Sequence, residues 1–321
     1  MVDHQTRNAP LAFIFPGQGS QSLGMLGDWS GEKVVQESFQ EAGDALGYDL
    51  WRLTQEGPQE DLDRTDRTQP ALLTAGVALW RLWRERGGPE PAFMAGHSLG
   101  EYTALVCAGA LPFPEAVRLV ADRGRYMQEA VAAGAGAMAA VLGLDDDAVC
   151  RVCAEAAQGE VVDAVNFNAP GQVVIAGNKS AVDRAVEAAR GAGAKKVVPL
   201  AVSAPSHCAL MRPAAQRLAE RLLEITVTLP VIPVIHNVDV GICADPACIR
   251  DRLVEQLANP VRWSETVQDL VARGVTRVVE CGPGKVLTGL NRRIHRDLAS
   301  AHLGDRAAFE KALQEAAEGG A

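Results

Sequence analysis

Aromatic side chains make up only 5% of the 321 residues, and no stretch approaches the roughly 18 consecutive apolar residues of a membrane-spanning helix. The second absence excludes a helical membrane protein. Basic charge is also in deficit, with 31 Lys and Arg against 40 Asp and Glu and a net charge of −9. That balance argues against a general nucleic-acid binder. It also requires any anionic substrate or acidic partner to meet a local basic patch. Residues Met1 to Pro10 are polar and lack the apolar core of a secretory signal, so a cytoplasmic location is expected. The seven cysteines are odd in number and scattered through regular-looking segments, which fits a reducing compartment. Cys150-Arg-Val-Cys153 is the one C-x-x-C. Without a second pair it cannot complete a zinc site, and it reads as two residues on one helix face, so no metal is expected.

What is present is a glycine-rich, α/β-like chain with 31 glycines and no low-complexity tract, long enough to bury a large core. Leu11 to Phe15 forms a buried-strand candidate, and helical patterns follow at 32–46 and 70–86. Further helices are expected from Ser98 to Ala108 and from Pro114 to Ala130, with Pro114 suited to a first turn. From 132 to 202 the pattern changes. Strands at Ala137–Leu142, Val161–Phe167, Gln172–Ala176 and Lys196–Leu200 interleave with helices at Asp145–Ala157 and Lys179–Ala192. That β-α-β-β-α-β order is the ferredoxin-like unit. Beyond it come a helix from His207 to Glu224, strands at Ile232–Ile235 and Thr276–Glu280, and helices near 247–257, 264–273, 286–295 and 306–317. Strands alternating with helices imply a mostly parallel sheet. The fold class expected is α/β: an α/β-hydrolase-like parallel-sheet body (residues 1–131 and 203–321) carrying an inserted ferredoxin-like (βαββαβ) subdomain (132–202).

The segment Gly96-His97-Ser98-Leu99-Gly100 carries the chemistry. Pro91-Ala92-Phe93-Met94-Ala95 leads in as a strand, and Glu101-Tyr102-Thr103-Ala104-Leu105-Val106 leads out as a helix. That is the strand–turn–helix setting of a G-x-S-x-G nucleophile elbow, which leaves its serine exposed at a helix N-terminus. A serine nucleophile needs a base, usually histidine. Of the six histidines, His4 lies in a terminus, His97 adjoins the serine and diverges from it, His295 sits among arginines and His302 in the tail. His207 and His236 remain, each after a strand, and His207, following Val202-Ser203-Ala204-Pro205-Ser206, is preferred. Gly17-Gln-Gly19 and Gly282-Pro-Gly-Lys285 fail the spacing of dinucleotide and Walker loops and read as turns beside a pocket.

These residues resemble the malonyl-CoA:acyl carrier protein transacylases of type II fatty acid synthesis. The resemblance runs through Phe15-Pro-Gly-Gln-Gly-Ser-Gln21, Thr68-Gln-Pro-Ala-Leu-Leu73, Ala95-Gly-His-Ser-Leu-Gly-Glu-Tyr102 and Arg123-Gly-Arg-Tyr-Met127. It continues through Val165-Asn-Phe-Asn168, Pro205-Ser-His-Cys-Ala-Leu-Met211, Asn237-Val-Asp239 and Gly282-Pro-Gly-Lys285, spanning residues 11 to 295. It implies Ser98 as nucleophile and His207 as base. Gln256 would supply a backbone carbonyl, in place of an aspartate, to orient the histidine. Gln18 and the N–H of Leu99 would form the oxyanion hole, Arg123 would pair with the malonyl carboxylate, and Met127 and Asn168 would line the pocket. A guanidinium reads carboxylates bidentately, and left unpaired in a dry site it would penalise acetyl groups.

The reaction so implied is ping-pong transfer through a malonyl-serine, by a monomer, from malonyl-CoA to the phosphopantetheine thiol of an acyl carrier protein, with no cofactor, nucleic acid or membrane. Acyl carrier proteins are acidic, and Lys195, Lys196, Lys285, Arg292, Arg293 and Arg296 offer basic patches for docking. The chain departs from the family pattern at Ala204, where a bulkier aliphatic residue is usual, at His236, and at Arg262. Ala204 would widen the pocket and admit methylmalonyl. The rival readings are a serine hydrolase, an acyltransferase serving a polyketide synthase, and a non-catalytic carrier-binding scaffold.

Overall fold

The computed structural model describes residues 10–200 and 204–318. His4, Val202, Ser203 and the expected domain boundary at 202/203 lie outside the described residues. The chain runs β1 (Leu11–Phe15), α1 (Lys33–Leu46), α2 (Leu50–Glu56), α3 (Gln59–Leu62), α4 (Thr65–Glu85), β2 (Phe93–Gly96), α5 (Leu99–Cys107) and α6 (Phe113–Ala130). It continues with β3 (Gly136–Leu142), α7 (Asp146–Ala157), β4 (Val162–Ala169), β5 (Gln172–Asn178), α8 (Lys179–Gly191), β6 (Lys196–Pro199) and α9 (Arg212–Leu223). It closes with β7 (Val234–Ile235), α10 (Pro246–Gln256), α11 (Trp263–Ala272), β8 (Arg277–Glu280), α12 (Val286–Ile294), β9 (Ala299–His302) and α13 (Arg306–Glu318).

Two sheets result. The first is five-stranded and parallel, in the order β7-β2-β1-β8-β9. Its central strand β1 is apolar at every position because both faces are covered. Phe13 and Phe15 pack toward Trp80 and Trp83 of α4, while Ala12 and Ile14 pack toward Trp263 and Val267 of α11. Full burial of each phenylalanine contributes about 1.5–3 kcal/mol. The second sheet is four-stranded and antiparallel, in the order β4-β5-β3-β6. α7 and α8 cover one of its faces, and the other face, with Met138, Val165 and Val174, meets Cys208 of the main body. The small sheet is tied to the segment leading into α11, where Val261 accepts from the Phe167 N–H (3.0 Å) and donates to the Val165 carbonyl (2.8 Å).

Several expectations need correction. The helix read from His207 begins only at Arg212, after a short 3-10 turn at Ala209–Met211, because His207 itself has a φ of 64° that no α-helix accommodates. The helix read from Pro70 starts at Thr65, so Pro70 lies in its second turn and leaves out one intrahelical donor. The helices α2 and α3 and the edge strand β9 were not anticipated. Not all cysteines stand as thiols: Cys243 and Cys248, five residues apart across the Asp245-Pro246 turn that caps α10, form a disulfide. Cys150 is exposed and Cys153 buried on α7, both free.

Candidate active site

The elbow lies where β2 turns into α5. Gly96 and Gly100 are obligatory there: a Cβ on Gly96 would fall 1.9 Å from the Gly100 carbonyl carbon, and one on Gly100 would fall 2.0 Å from the Phe15 carbonyl oxygen. Ser98, at the helix N-cap, takes a φ of 52°. This left-handed backbone is strained for a serine and presents its side chain rather than packing it. Asn237 braces the turn: its Oδ1 accepts from the Ser98 N–H (2.8 Å) and its Nδ2 donates to the Gly96 carbonyl (2.7 Å).

Ser98 Oγ and His207 Nε2 are 2.8 Å apart, and His207 Nδ1 lies 2.7 Å from the backbone carbonyl of Gln256. A carbonyl only accepts, so Nδ1 carries the hydrogen and the Nε2 lone pair faces the serine hydroxyl. Burial, reinforced by the nearby Arg123 charge, lowers the His207 pKa to about 3. The imidazole is therefore neutral and able to accept a proton at physiological pH. His236, the alternative base, is sequestered elsewhere: its Nδ1 lies 2.8 Å from Glu101 Oε1.

Arg123, projecting from α6, is almost fully buried. Its guanidinium donates to Gln69 Oε1 (2.8 Å), Gln256 Oε1 (2.9 Å) and Ser98 Oγ (3.3 Å), and its buried Nε has no partner among the described residues. These partners are amides and a hydroxyl, not carboxylates. It also lies over the Tyr102 ring, 5.2 Å from the centroid. Burial depresses its pKa from the usual arginine value, with Tyr102 and Glu101 opposing.

A cavity of about 400 Å³ opens over these groups, with Gln18, Ser98, Arg123, Met127, Asn166 and Ala204 in its wall. His207 also borders a second cavity of about 590 Å³ beside Cys150, Cys153 and Arg212. Only the smaller one reaches both Ser98 and Arg123. Leu99 is the first residue of α5, where N–H groups have no intrahelical acceptor. Gln18 lies beside it, its side-chain amide donating to Thr65 Oγ1 at 3.2 Å. Met127 Sδ accepts from Gln69 Nε2 (3.4 Å).

Asn168 departs from expectation. It is buried with its Oδ1 on His97 Nε2 (2.8 Å), and it is Asn166 that lines the cavity. Register shifts at Ala164/Asn166 and Phe167/Ala169 break the two-residue alternation of β4, so spacing alone could not assign the two asparagines. Gln69, Glu101, Asn166 and Asn237 all stand within the sequence motifs, but the sequence assigns none of them a role. A fixed contact with Arg123, Gln256 or Ser98 is a long-range fact that no local pattern carries.

Four of the basic residues, Lys195, Lys196, Arg292 and Arg293, fall into one region. Arg292 and Arg293 end α12, and Arg293 donates to Gln172 of β5. Gln172, Leu142 and Lys196 form one rung across the small sheet, two strand spacings or about 10 Å wide. Lys195, Lys196, Arg292, Arg293 and Arg296 are exposed, as is Lys285 just before α12.

With this geometry in place, comparison with known proteins is direct. The sequence profile of the acyl transferase domain family matches residues 12–307. The malonyl CoA-acyl carrier protein transacylase of Salmonella typhimurium is 58% identical over 304 residues, covering 94% of this chain and 98% of that protein. Among solved structures, an acyl carrier protein S-malonyltransferase from Vibrio cholerae superposes with a TM-score of 0.93 at 56% identity, covering 94% of this chain and 99% of that one. A malonyl-transacylase in holo complex with its type II polyketide acyl-carrier protein gives 0.94 at 56% identity, covering 95% and 99%.

Proposed function

The chain belongs to the acyl transferase family, and from that premise we propose that it moves malonyl groups from malonyl-CoA to the phosphopantetheine thiol of holo-acyl carrier protein, in fatty acid biosynthesis. The observation that carries the reading is Arg123: a buried guanidinium, hydrogen-bonded to Ser98 Oγ and without an acidic partner of its own among the described residues. A site built to hydrogen-bond a carboxylate rejects the analogue that lacks it.

In the first half-reaction His207 Nε2 takes the Ser98 proton as Oγ attacks the thioester carbon. The tetrahedral oxyanion is held by the N–H of Leu99 and by Gln18, both of which line the cavity. Collapse expels the CoA sulfur, which takes the proton from His207, and leaves a malonyl ester on Ser98. In the second half-reaction the carrier thiol gives its proton to His207 and attacks that ester, and Ser98 leaves with the proton. Gln256 orients the histidine, and Met127 bounds the acyl group, with Asn168 behind it through His97. No metal or other cofactor takes part in this scheme.

The same proposal reads residues 1–131 and 203–321 as an α/β-hydrolase-like body and 132–202 as a ferredoxin-like subdomain. The parallel sheet with its elbow, and the order β4-β5-β3-β6 with two helices on one face, support that reading. Lys195, Lys196, Lys285, Arg292 and Arg293 form the carrier-docking rim, and the protein acts as a cytoplasmic monomer. Among the described residues no helix is long and apolar enough to cross a membrane.

Intact-protein mass spectrometry tests the function. Malonyl-CoA should load wild type but not Ser98→Ala, and holo-acyl carrier protein should chase the adduct onto itself. Release of free malonate in place of carrier acylation would instead mark a hydrolase.

A further inference from the structure

Beneath the reacting groups lies a carboxylate that the transfer scheme does not use. Glu101 stands in the first turn of α5, three residues after Ser98, and is fully buried. An ionised carboxylate is costly to bury unless donors surround it. Three do: His236 Nδ1 faces Oε1 at 2.8 Å, while the Asn237 N–H and Gln256 Nε2 donate to Oε2, each at 2.9 Å. An acid in a first helical turn ordinarily serves the helix N–H groups or solvent. Glu101 instead reaches groups 135 to 155 residues away.

Two of its partners are the struts of the centre. Asn237 holds the Ser98 N–H and the Gly96 carbonyl, the two ends of the elbow. Gln256 offers its backbone carbonyl to His207 and its Oε1 to Arg123, and its Nε2 also reaches the Ser98 carbonyl at 3.1 Å. An amide side chain presents its oxygen to Arg123 when its NH₂ is fixed on the other side, and Glu101, at the shortest of these distances and with the one carboxylate among these acceptors, fixes it together with the Ser98 carbonyl.

We propose that Glu101 is the positioning residue of this site: its buried carboxylate orients Gln256 and Asn237, and through them sets Arg123 and the elbow serine against His207. It touches no reacting atom. Its carboxylate also faces Arg123 across the Gln256 amide, leaving the guanidinium without a direct carboxylate partner among the described residues and so able to take that of a substrate. The inference rests on the malonyl-transfer reading for the substrate that reports it.

The test compares Glu101→Gln, Gln256→Ala and Asn237→Ala by single-turnover acylation with malonyl-CoA and acetyl-CoA, corrected for folded active sites. Gln256→Ala should lower the malonyl-to-acetyl ratio about tenfold, and Asn237→Ala should slow both donors alike, as expected for loss of one hydrogen bond to a charged or buried group. Glu101→Gln should do both. Adding Glu101→Gln to Gln256→Ala should change the ratio little further, since coupled residues are not additive. A Glu101→Gln protein that is slower with an unchanged ratio, or that is indistinguishable from wild type, overturns the proposal. If Glu101→Gln does not fold, equal effects of Gln256→Ala and Asn237→Ala on both donors overturn it. Wild type that forms no malonyl adduct overturns the transfer reading alone. Labelling of Ser98 by an uncharged fluorophosphonate then still tests the Asn237 arm, with unchanged rates in Glu101→Gln and Asn237→Ala counting against Glu101.

Discussion

Acylation of Ser98 should persist in acid where an ordinary histidine would already be lost. The perturbation is pH. An imidazole titrating at 6.5 is about 76% neutral at pH 7 and only about 3% neutral at pH 5, a roughly 25-fold loss of base. His207, with its pKa lowered to about 3 by burial and by Arg123, stays about 99% neutral at pH 5. Single-turnover acylation, quenched and read by intact mass, should therefore be flat from pH 7 to 5. The second cause predicts a second result. Arg123→Met removes the nearby positive charge, so its acid limb, read with acetyl-CoA, should move toward higher pH. Folding follows the same linkage. The unfolded chain binds the His207 proton first, so the stability that this neutral imidazole contributes is present above pH 6.5 and is lost as pH falls toward about 3. A wild-type acid limb near 6.5 in a protein still folded by circular dichroism would refute the reasoning.

Arg123→Ala should cut malonyl-CoA acylation by roughly a thousandfold, the equivalent of about 4 kcal/mol for a lost buried carboxylate–guanidinium pair, while acetyl transfer rises relative to it; competition between the two thioesters measures the ratio. Ala204 is a small buried residue in the cavity wall, so Ala204→Val, by narrowing the cavity, should lower the methylmalonyl-to-malonyl ratio several-fold, by the one-methylene scale of about 1–3 kcal/mol. Arg292→Glu with Arg293→Glu should raise KM for the carrier protein, most clearly at low salt, and leave loading from malonyl-CoA unchanged; steady-state kinetics with carrier varied is the check. Gly100→Ala drives a Cβ to 2.0 Å from the Phe15 carbonyl oxygen, which cannot rotate aside, and should destabilise the fold by about 3 kcal/mol or more in urea titration.

The parts of this molecule that were legible in sequence are those written locally. The elbow announced itself because strand, glycines and helix are contiguous, and the small sheet because its elements follow one another within 70 residues or so of chain, each with its own period. The choice of His207 over His236 came from position, and the structure gives its physical reason: His236 is committed to Glu101 and His207 to Ser98. Arg123 was recognisable only through family resemblance, since on a helix beside Asp122 it has the pattern of a surface arginine. The illegible parts are of two kinds. Bulges in β4 bring Asn166, which had no expected role, into the cavity wall and set Asn168 against His97, and the positive φ of His207 delays the helix that follows it. The buried polar lattice of Gln69, Glu101, Asn237 and Gln256 has no periodic signature at all, because its partners meet only after folding.

That separation has a further consequence. Ser98 lies 109 residues from His207, 139 from Asn237 and 158 from Gln256. Contacts of such long span are closed late and together, because chain entropy must be overcome before any of them is rewarded. A nascent chain released before about residue 260 would carry the serine and the histidine, yet not the surroundings that give them their geometry. Activity here belongs to the finished chain, and its appearance during refolding reports the completion of the whole molecule rather than of any one part.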